Sequence, residues 1–302
     1  MTNSQTPFKN VARYSIKDLE HLSGIKAHTL RIWEQRYGII EPQRTDTNIR
    51  YYSDDDLKYI LNISLLNSNG FKISRLAELS REQVAVEVGK LSSAHQSYES
   101  DISSLIVSTI DLNEALFEQV FQQNVITIGF EKTITDVVYP FLDRIGTLWL
   151  SGSICPAQEH FITNLIRQKL IVAIDIQPKL SEPGAKSIVI YTPEQELHEI
   201  SILFAAYAFK RQQQKVFYLG ASVPFENVKM VVDRHKADIV LCSITATPNG
   251  SQFNSYLDNL NASFPDKKII LTGYQAQKRR TEVPDNMIVL SSLDELFSFV
   301  SK

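Results

Sequence analysis

At 302 residues, with 43% apolar and 22% charged side chains, the chain has an ordinary globular composition and is long enough for two or three domains rather than one core. Its formal net charge of −3 excludes a whole-molecule affinity for polyanions, so any nucleic-acid surface has to be local. The opening MTNSQTPFKN is polar and unlike a signal peptide, no run of 18 apolar residues offers a membrane span, and two distant cysteines, Cys155 and Cys242, form neither a disulfide framework nor a zinc site, so a reducing, cytoplasmic setting is expected.

Residues 11–80 are dense in short helical patterns. SIKDLEHLSG pairs a Ser15 cap with Asp18 at the capping-box position and stops at Gly24, and KAHTLRIWEQRYG places Leu30 and Trp33 on one face and stops at Gly38. Two short helices across a Ser-Gly turn have the helix-turn-helix layout, whose second helix can enter a major groove. Next comes Pro42 in a polar loop, then Arg50-Tyr51-Tyr52, which reads as a β-wing, and SDDDLKYILN, a helix capped by Ser53 with acids in its first turn. Between Lys26 and Tyr51 five basic residues face three acids, an excess of 5 − 3 = 2. That excess fits a phosphate-tracking face or a merely solvated one.

In order and spacing, Tyr14-Ser15-Ile16, Ser23-Gly24-Ile25, Thr29-Leu30-Arg31-Ile32-Trp33-Glu34, Arg36-Tyr37-Gly38, Pro42 and Arg50-Tyr51-Tyr52-Ser53 resemble the winged helix-turn-helix of the MerR family. The resemblance implies that His28, Thr29 and Arg31 face base edges or phosphates of double-stranded operator DNA, and that Arg44, Asn48, Arg50 and Tyr51 hold the backbone from the wing. Leu30 and Trp33 are expected in the core. Members of this family carry a long pairing helix after the wing. Residues 81–110 show no clean heptad and 81–97 are read as a linker, so dimerisation is expected further along the chain.

Residues 98–180 read as four successive helices, enough for a small bundle. Within them WLSGSICPAQEH sets Trp149 ahead of Glu159-His160, a pattern that by itself suits a packed core Trp as well as a ligand cap. From 185 to 302 the runs KSIVIY, KVFYLGA, DIVLCSIT, KKIILTG and MIVLSS alternate with helical patterns, ending in LDELFSFVSK. Five such strands predict a doubly wound, parallel, flavodoxin-like sheet whose ligands bind beyond the carboxyl ends of the strands. His198 stands on that rim after the first strand, Ser243 closes the third and Gly273 the fourth. TPEQELHEIS has no glycine for a dinucleotide turn, and the chain lacks a phosphate-binding loop, a GxSxG elbow and paired zinc-ligand histidines. What remains is an imidazole with Glu196 two residues before it, a pair suited to one axial metal bond because a carboxylate on the far ring nitrogen fixes the tautomer.

Glu196-x-His198-x-x-Ser201, Ser243-x-Thr245 and Thr272-Gly273 in an alternating domain behind a helical bundle resemble the cobalamin-binding module of methionine synthase and its relatives. With the N-terminal motif, the whole chain is similar to MerR-type regulators that carry a C-terminal cobalamin-binding domain. The resemblance implies His198 as the lower cobalt ligand, Glu196 on its second nitrogen, Ser243, Thr245 and Gly273 beside the nucleotide tail, and Trp149, Glu159 and His160 against the upper ligand. Ser201, Thr245 and Thr272 depart from the glycine, leucine and glycine of the motif, narrowing the tail tunnel. Leu150 takes the place of a second histidine found in light-responsive members.

The expectation is a multidomain α and α/β protein: a winged helix-turn-helix over 11–80, a linker over 81–97, a helical cap over 98–180 and a Rossmann-like domain over 185–302. Its expected function is that of a repressor, not an enzyme, whose homodimer or homotetramer binds operator DNA under the control of adenosylcobalamin, with light as a possible second input. Two alternatives stay open: a regulator with a cofactor-free C-terminal domain, and a corrinoid carrier of a methyltransferase.

Overall fold

The computed structural model describes residues 14–45, 47–90, 98–150, 152–178, 184–246, 248, 250–284, 286–290 and 295–296. The polar leader and nearly all of the expected terminal helix LDELFSFVSK lie outside the described residues. The chain divides into two compact units, residues 1–162 and 163–302.

In the first unit, α1 (Ile16–Ser23) starts on a complete capping box, with the Ser15 hydroxyl taking the Asp18 amide and Asp18 returning to the Ser15 amide. Gly24 ends it in the left-handed conformation (φ 71°), which lets the chain turn directly into α2 (Ala27–Tyr37). β1 (Gln43–Arg44) and β2 (Arg50–Tyr51) pair antiparallel as the wing, and Tyr14 bridges Tyr52 to fasten the wing to the start of α1. α3 (Asp54–Ser68) has a second capping box, Ser53 with Asp56, and Asp56 also receives Arg81 at 2.6 Å. α4 (Ile73–Leu76) and α5 (Arg81–Lys90) follow, so the first ten residues of the stretch read as linker are a helix packed on α3. Leu19, Leu30, Trp33, Leu57 and Ile60 fill the core of this head.

The helices that follow in this unit are α6 (Tyr98–Asp111), α7 (Glu114–Ile128), a long third helix and the first turns of α10 (Pro156–Asp175), whose later residues belong to the second unit. The third helix runs from α8 (Phe130–Lys132) through a π-helical stretch, Thr133–Val138, into α9 (Tyr139–Leu150). Sequence periodicity did not foretell that π segment, because 6 residues make little more than one turn and are too few to display a period of their own. Head and bundle are joined within this unit. Arg144 of α9 donates to the Leu22 carbonyl at the end of α1 (3.2 Å) and pairs with Glu99 of α6 (2.5 Å), while Lys58 of α3 pairs with Asp111.

The second unit is built on five parallel strands, β3 (Ser187–Pro193), β4 (Lys215–Val223), β5 (Ile239–Ser243), β6 (Lys268–Thr272) and β7 (Met287–Val289), in the order β4-β3-β5-β6-β7. β3 is buried at every position, as its unbroken apolar run requires with helices on both faces. The connections are α11 (Ile200–Arg211), α12 (Phe225–His235), α13 (Gly250–Ser263) and α14 (Tyr274–Lys278). Because the strand order reverses about β3, the carboxyl ends of β3 and β5 flank the topological switch point, where such sheets hold ligands.

Candidate functional site

At that switch point the chain leaves β3 and makes a four-residue stretch without regular structure, Glu196 to Glu199, before α11 begins. Glu196 is fully buried, although it is a carboxylate. It is stable there because both oxygens are used. One accepts from His198 Nδ1 (2.5 Å) and the His198 amide (3.0 Å); the other accepts from the amides of Thr245 (2.9 Å) and Ala246 (2.5 Å) just past β5. Compared with aspartate, the extra methylene lets one side chain span from the imidazole to the β5 loop. His198 itself is 61% exposed. With Nδ1 committed to Glu196, any metal bond made by this imidazole is made by Nε2.

Ser222, which sequence reasoning passed over, locks the same loop from the β4 side. Its amide donates to the Glu196 carbonyl and the Thr192 hydroxyl, and its own hydroxyl accepts from the Gln195 amide. Gln195 and Ser222 both hold positive φ, 68° and 56°, a strained pairing of the kind that clusters at ligand clamps. No sequence pattern marks a serine at a strand end as a latch.

The other rim residues fall where the topology predicts but have protein partners. Ser243 is fully buried, and its hydroxyl lies 2.9 Å from that of Ser201 on α11. Thr245 is half-buried and gives its amide to Glu196. Gly273 (φ 93°) is required by the protein itself: a Cβ there would sit 2.6 Å from the Ile244 carbonyl oxygen. Below the rim Tyr191, Tyr256 and Cys242 cluster, and burial above all pushes the Cys242 thiol up to about 12, so it is no nucleophile.

In the first unit Trp149 is 51% exposed near the end of α9, so it is not a core residue, and Glu159 is paired with His160 at 2.5 Å on the first turns of α10. On the head, His28, Arg31, Arg44, Asn48 and Arg50 are exposed, Thr29 and Tyr51 half-buried, and Arg44 holds the wing turn through the Asn48 side chain (2.7 Å). The exposed cations thus gather on α2 and the wing, while Leu30 and Trp33 of the same helix point inward.

Residues 14–83 match the MerR HTH family regulatory protein model, and residues 102–173 match the B12 binding domain model. The chain thus carries a MerR-type HTH segment followed by a B12-binding segment. It is 26% identical over 282 residues to the HTH-type transcriptional repressor CarH of Myxococcus xanthus, across 91% of this chain and 93% of that one. With the HTH-type transcriptional repressor CarA of the same organism it shares 22% identity over 266 residues, 87% of each chain. Both relatives are transcriptional repressors. Among solved structures, the Methanosarcina barkeri monomethylamine corrinoid protein superposes with a TM-score of 0.56 at 15% identity, over 67% of this chain and 98% of that one, a likeness of fold. The MerR domain contains α1 to α3 with the wing, a DNA-binding design, and the B12-binding domain contains the bundle from α6 to most of α10. Among the described residues no helix is long and apolar enough to cross a membrane.

Proposed function

We propose that this regulator is a cytoplasmic repressor whose binding to operator DNA is set by adenosylcobalamin. The observation that carries the reading is the His198–Glu196 pair: an imidazole on the ligand rim of the sheet, its Nδ1 held by a fully buried carboxylate, in a chain that begins with a MerR head. This donor set would suit a metal-bearing cofactor that takes one nitrogen ligand from the protein, since a carboxylate-backed imidazole is a strong, oriented nitrogen donor. When bound, cobalamin would supply a cobalt centre with an exchangeable upper ligand.

His198 is the residue that would hold the cobalt from below, with Glu196 fixing its tautomer. Ser243, Thr245 and Gly273 are the residues assigned to the nucleotide tail, and the Ser201–Ser243 hydrogen bond is the contact that tail must replace. Trp149, Glu159 and His160 are assigned to the upper ligand. On the DNA side, Arg31 and Arg50 are assigned to phosphate or guanine, since a guanidinium pairs bidentately with either, and His28, Thr29, Arg44, Asn48 and Tyr51 complete the contact. A single winged head reads a half-site, so a homodimer or homotetramer places two or more heads at fixed spacing and gains affinity by linkage. Arg144 and Lys58, which tie the head to the bundle, give the B12-binding domain a direct hold on the orientation of that head. Leu150 offers no metal donor, so ligand sensing rather than light sensing is the proposed input.

The Ser201–Ser243 bond is the one observation that favours a cofactor-free C-terminal domain. One experiment separates the two readings. Protein passed through a desalting column with adenosylcobalamin should retain corrin and show a base-off, His-on absorption spectrum, and His198→Ala should not show that spectrum. A parent that elutes without corrin refutes the sensor reading. A corrinoid carrier would retain corrin yet show no corrin-dependent binding to the promoter of its own gene.

A further inference from the structure

The residue after His198 has an anchoring system of its own. Glu199 occupies the N-cap of α11, where a short oxygen-bearing side chain would take a helix amide, yet it makes no capping bond. Its carboxylate turns away: one oxygen accepts from the Tyr218 hydroxyl of β4 at 2.6 Å, and the other meets Arg167 Nε of α10 at 2.5 Å. The side chain is only 12% exposed. Burial, and then Glu199 itself, push the Tyr218 phenol far up, so it remains a proton donor to the carboxylate. Arg167 belongs to the segment that matches the B12 binding domain.

The stretch from Glu196 to Glu199 is neither helix nor strand, and backbone-to-backbone bonds hold it only at its ends, where the Glu196 carbonyl accepts from the Ser222 amide and the Glu199 carbonyl from the Leu203 amide of α11. Its side chains add a tie at each end, the buried Glu196 to the β5 loop and the part-buried Glu199 to β4 and α10. Leu197 and His198 are exposed between the two ties, at 73% and 61%. We propose that Glu199, with Arg167 and Tyr218, is a positioning clamp for His198 that determines how much of a bound cobalamin is coordinated by the protein rather than by its own base. The proposal rests on the reading of His198 as the lower ligand. A ligand bond is stringent in position, so a strap free at one end spreads the imidazole over geometries of which few can coordinate.

The test uses the full chain labelled with 15N-histidine and loaded with cob(II)alamin. In the electron paramagnetic resonance spectrum, an axial protein histidine splits the cobalt lines into doublets, whereas the cofactor's own 14N base gives triplets. The parent should show doublets. Glu199→Ala should lower the ratio of doublet to triplet species about tenfold and speed corrin release, the loss expected for a charge-assisted, largely buried anchor. Glu199→Gln, which keeps an acceptor for Tyr218, should fall between, and Arg167→Ala should match it, with the double variant no worse than either single one. If Glu199→Ala does not fold, Tyr218→Phe, which removes one hydroxyl and keeps the ring, must still shift the ratio the same way. A parental doublet fraction in whichever of these variants folds overturns the clamp alone. A parent without doublets overturns the ligand assignment and the clamp with it.

Discussion

Replacing Glu196 with glutamine preserves volume and removes one acceptor, and the structure sets the cost. The carboxylate accepts four hydrogen bonds, two from His198 and two from the amides of Thr245 and Ala246. A glutamine has one oxygen and one NH2 group, so whichever way it turns, the NH2 meets two N–H donors. Turned toward the β5 loop, it leaves the amides of Thr245 and Ala246 without an acceptor; Ala246 is exposed and water can serve it, which lowers the penalty there. Turned toward His198, it leaves the His198 amide unpaired and forces Nδ1 to accept, which puts the ring proton on Nε2 and removes the lone pair a metal needs. An unsatisfied buried donor costs about 1–3 kcal/mol, and the exchange of charged for neutral hydrogen bonds adds roughly 1 kcal/mol. The expected destabilisation of the α/β domain is therefore about 2–3 kcal/mol. Amide hydrogen exchange at β3 and β5 reads that domain directly, and these amides should exchange roughly 30- to 160-fold faster in Glu196→Gln. Exchange within threefold of the parent, together with an unchanged corrin spectrum, would show that the carboxylate is not what organises this rim.

Three further predictions can be tested independently of that one. Gly273→Ala should cost upwards of about 3 kcal/mol, since its Cβ would meet the backbone of Ile244 at 2.6–2.9 Å at a φ of 93°, and exchange protection at β5 and β6 should collapse; a parental unfolding curve would refute the close approach. Arg50→Ala should weaken operator binding in a gel shift and lower the slope of log affinity against log salt by about one, while an unchanged slope would count against a phosphate contact by the wing. Arg144→Ala removes the donor to the Leu22 carbonyl and the pair with Glu99. Discounted for the exposure of Glu99, the loss should be about 1–2 kcal/mol, and limited proteolysis should cut between head and bundle sooner than in the parent.

The head was legible in the sequence because its determinants are local. Ser15 with Asp18, Gly24, Gly38 and Ser53 fix helix starts and stops within a few residues of themselves, and the structure repeats each of these assignments and adds Asp56 as the capping partner of Ser53. The five strands were equally plain, since a run such as SIVIY buried on both faces can only be apolar and β-branched. The α5 helix was missed because its charged, weakly amphipathic sequence gives no stripe to read, and it gains its stability from packing on α3. The π segment was hidden for the geometric reason given above.

From the sequence alone, His198 could be set on the rim and paired with Glu196, because a two-residue offset and a strand end are facts of chain order. What no spacing could supply was how that pair is held. The amides of Thr245 and Ala246 lie about fifty residues from Glu196, Ser222 is near the end of the neighbouring strand β4, and Arg167 is on a helix that precedes the sheet. Chain order fixes which groups exist and which are neighbours along the backbone. Burial of a charge depends on donors that come from elsewhere, and only the folded sheet brings them within hydrogen-bond reach.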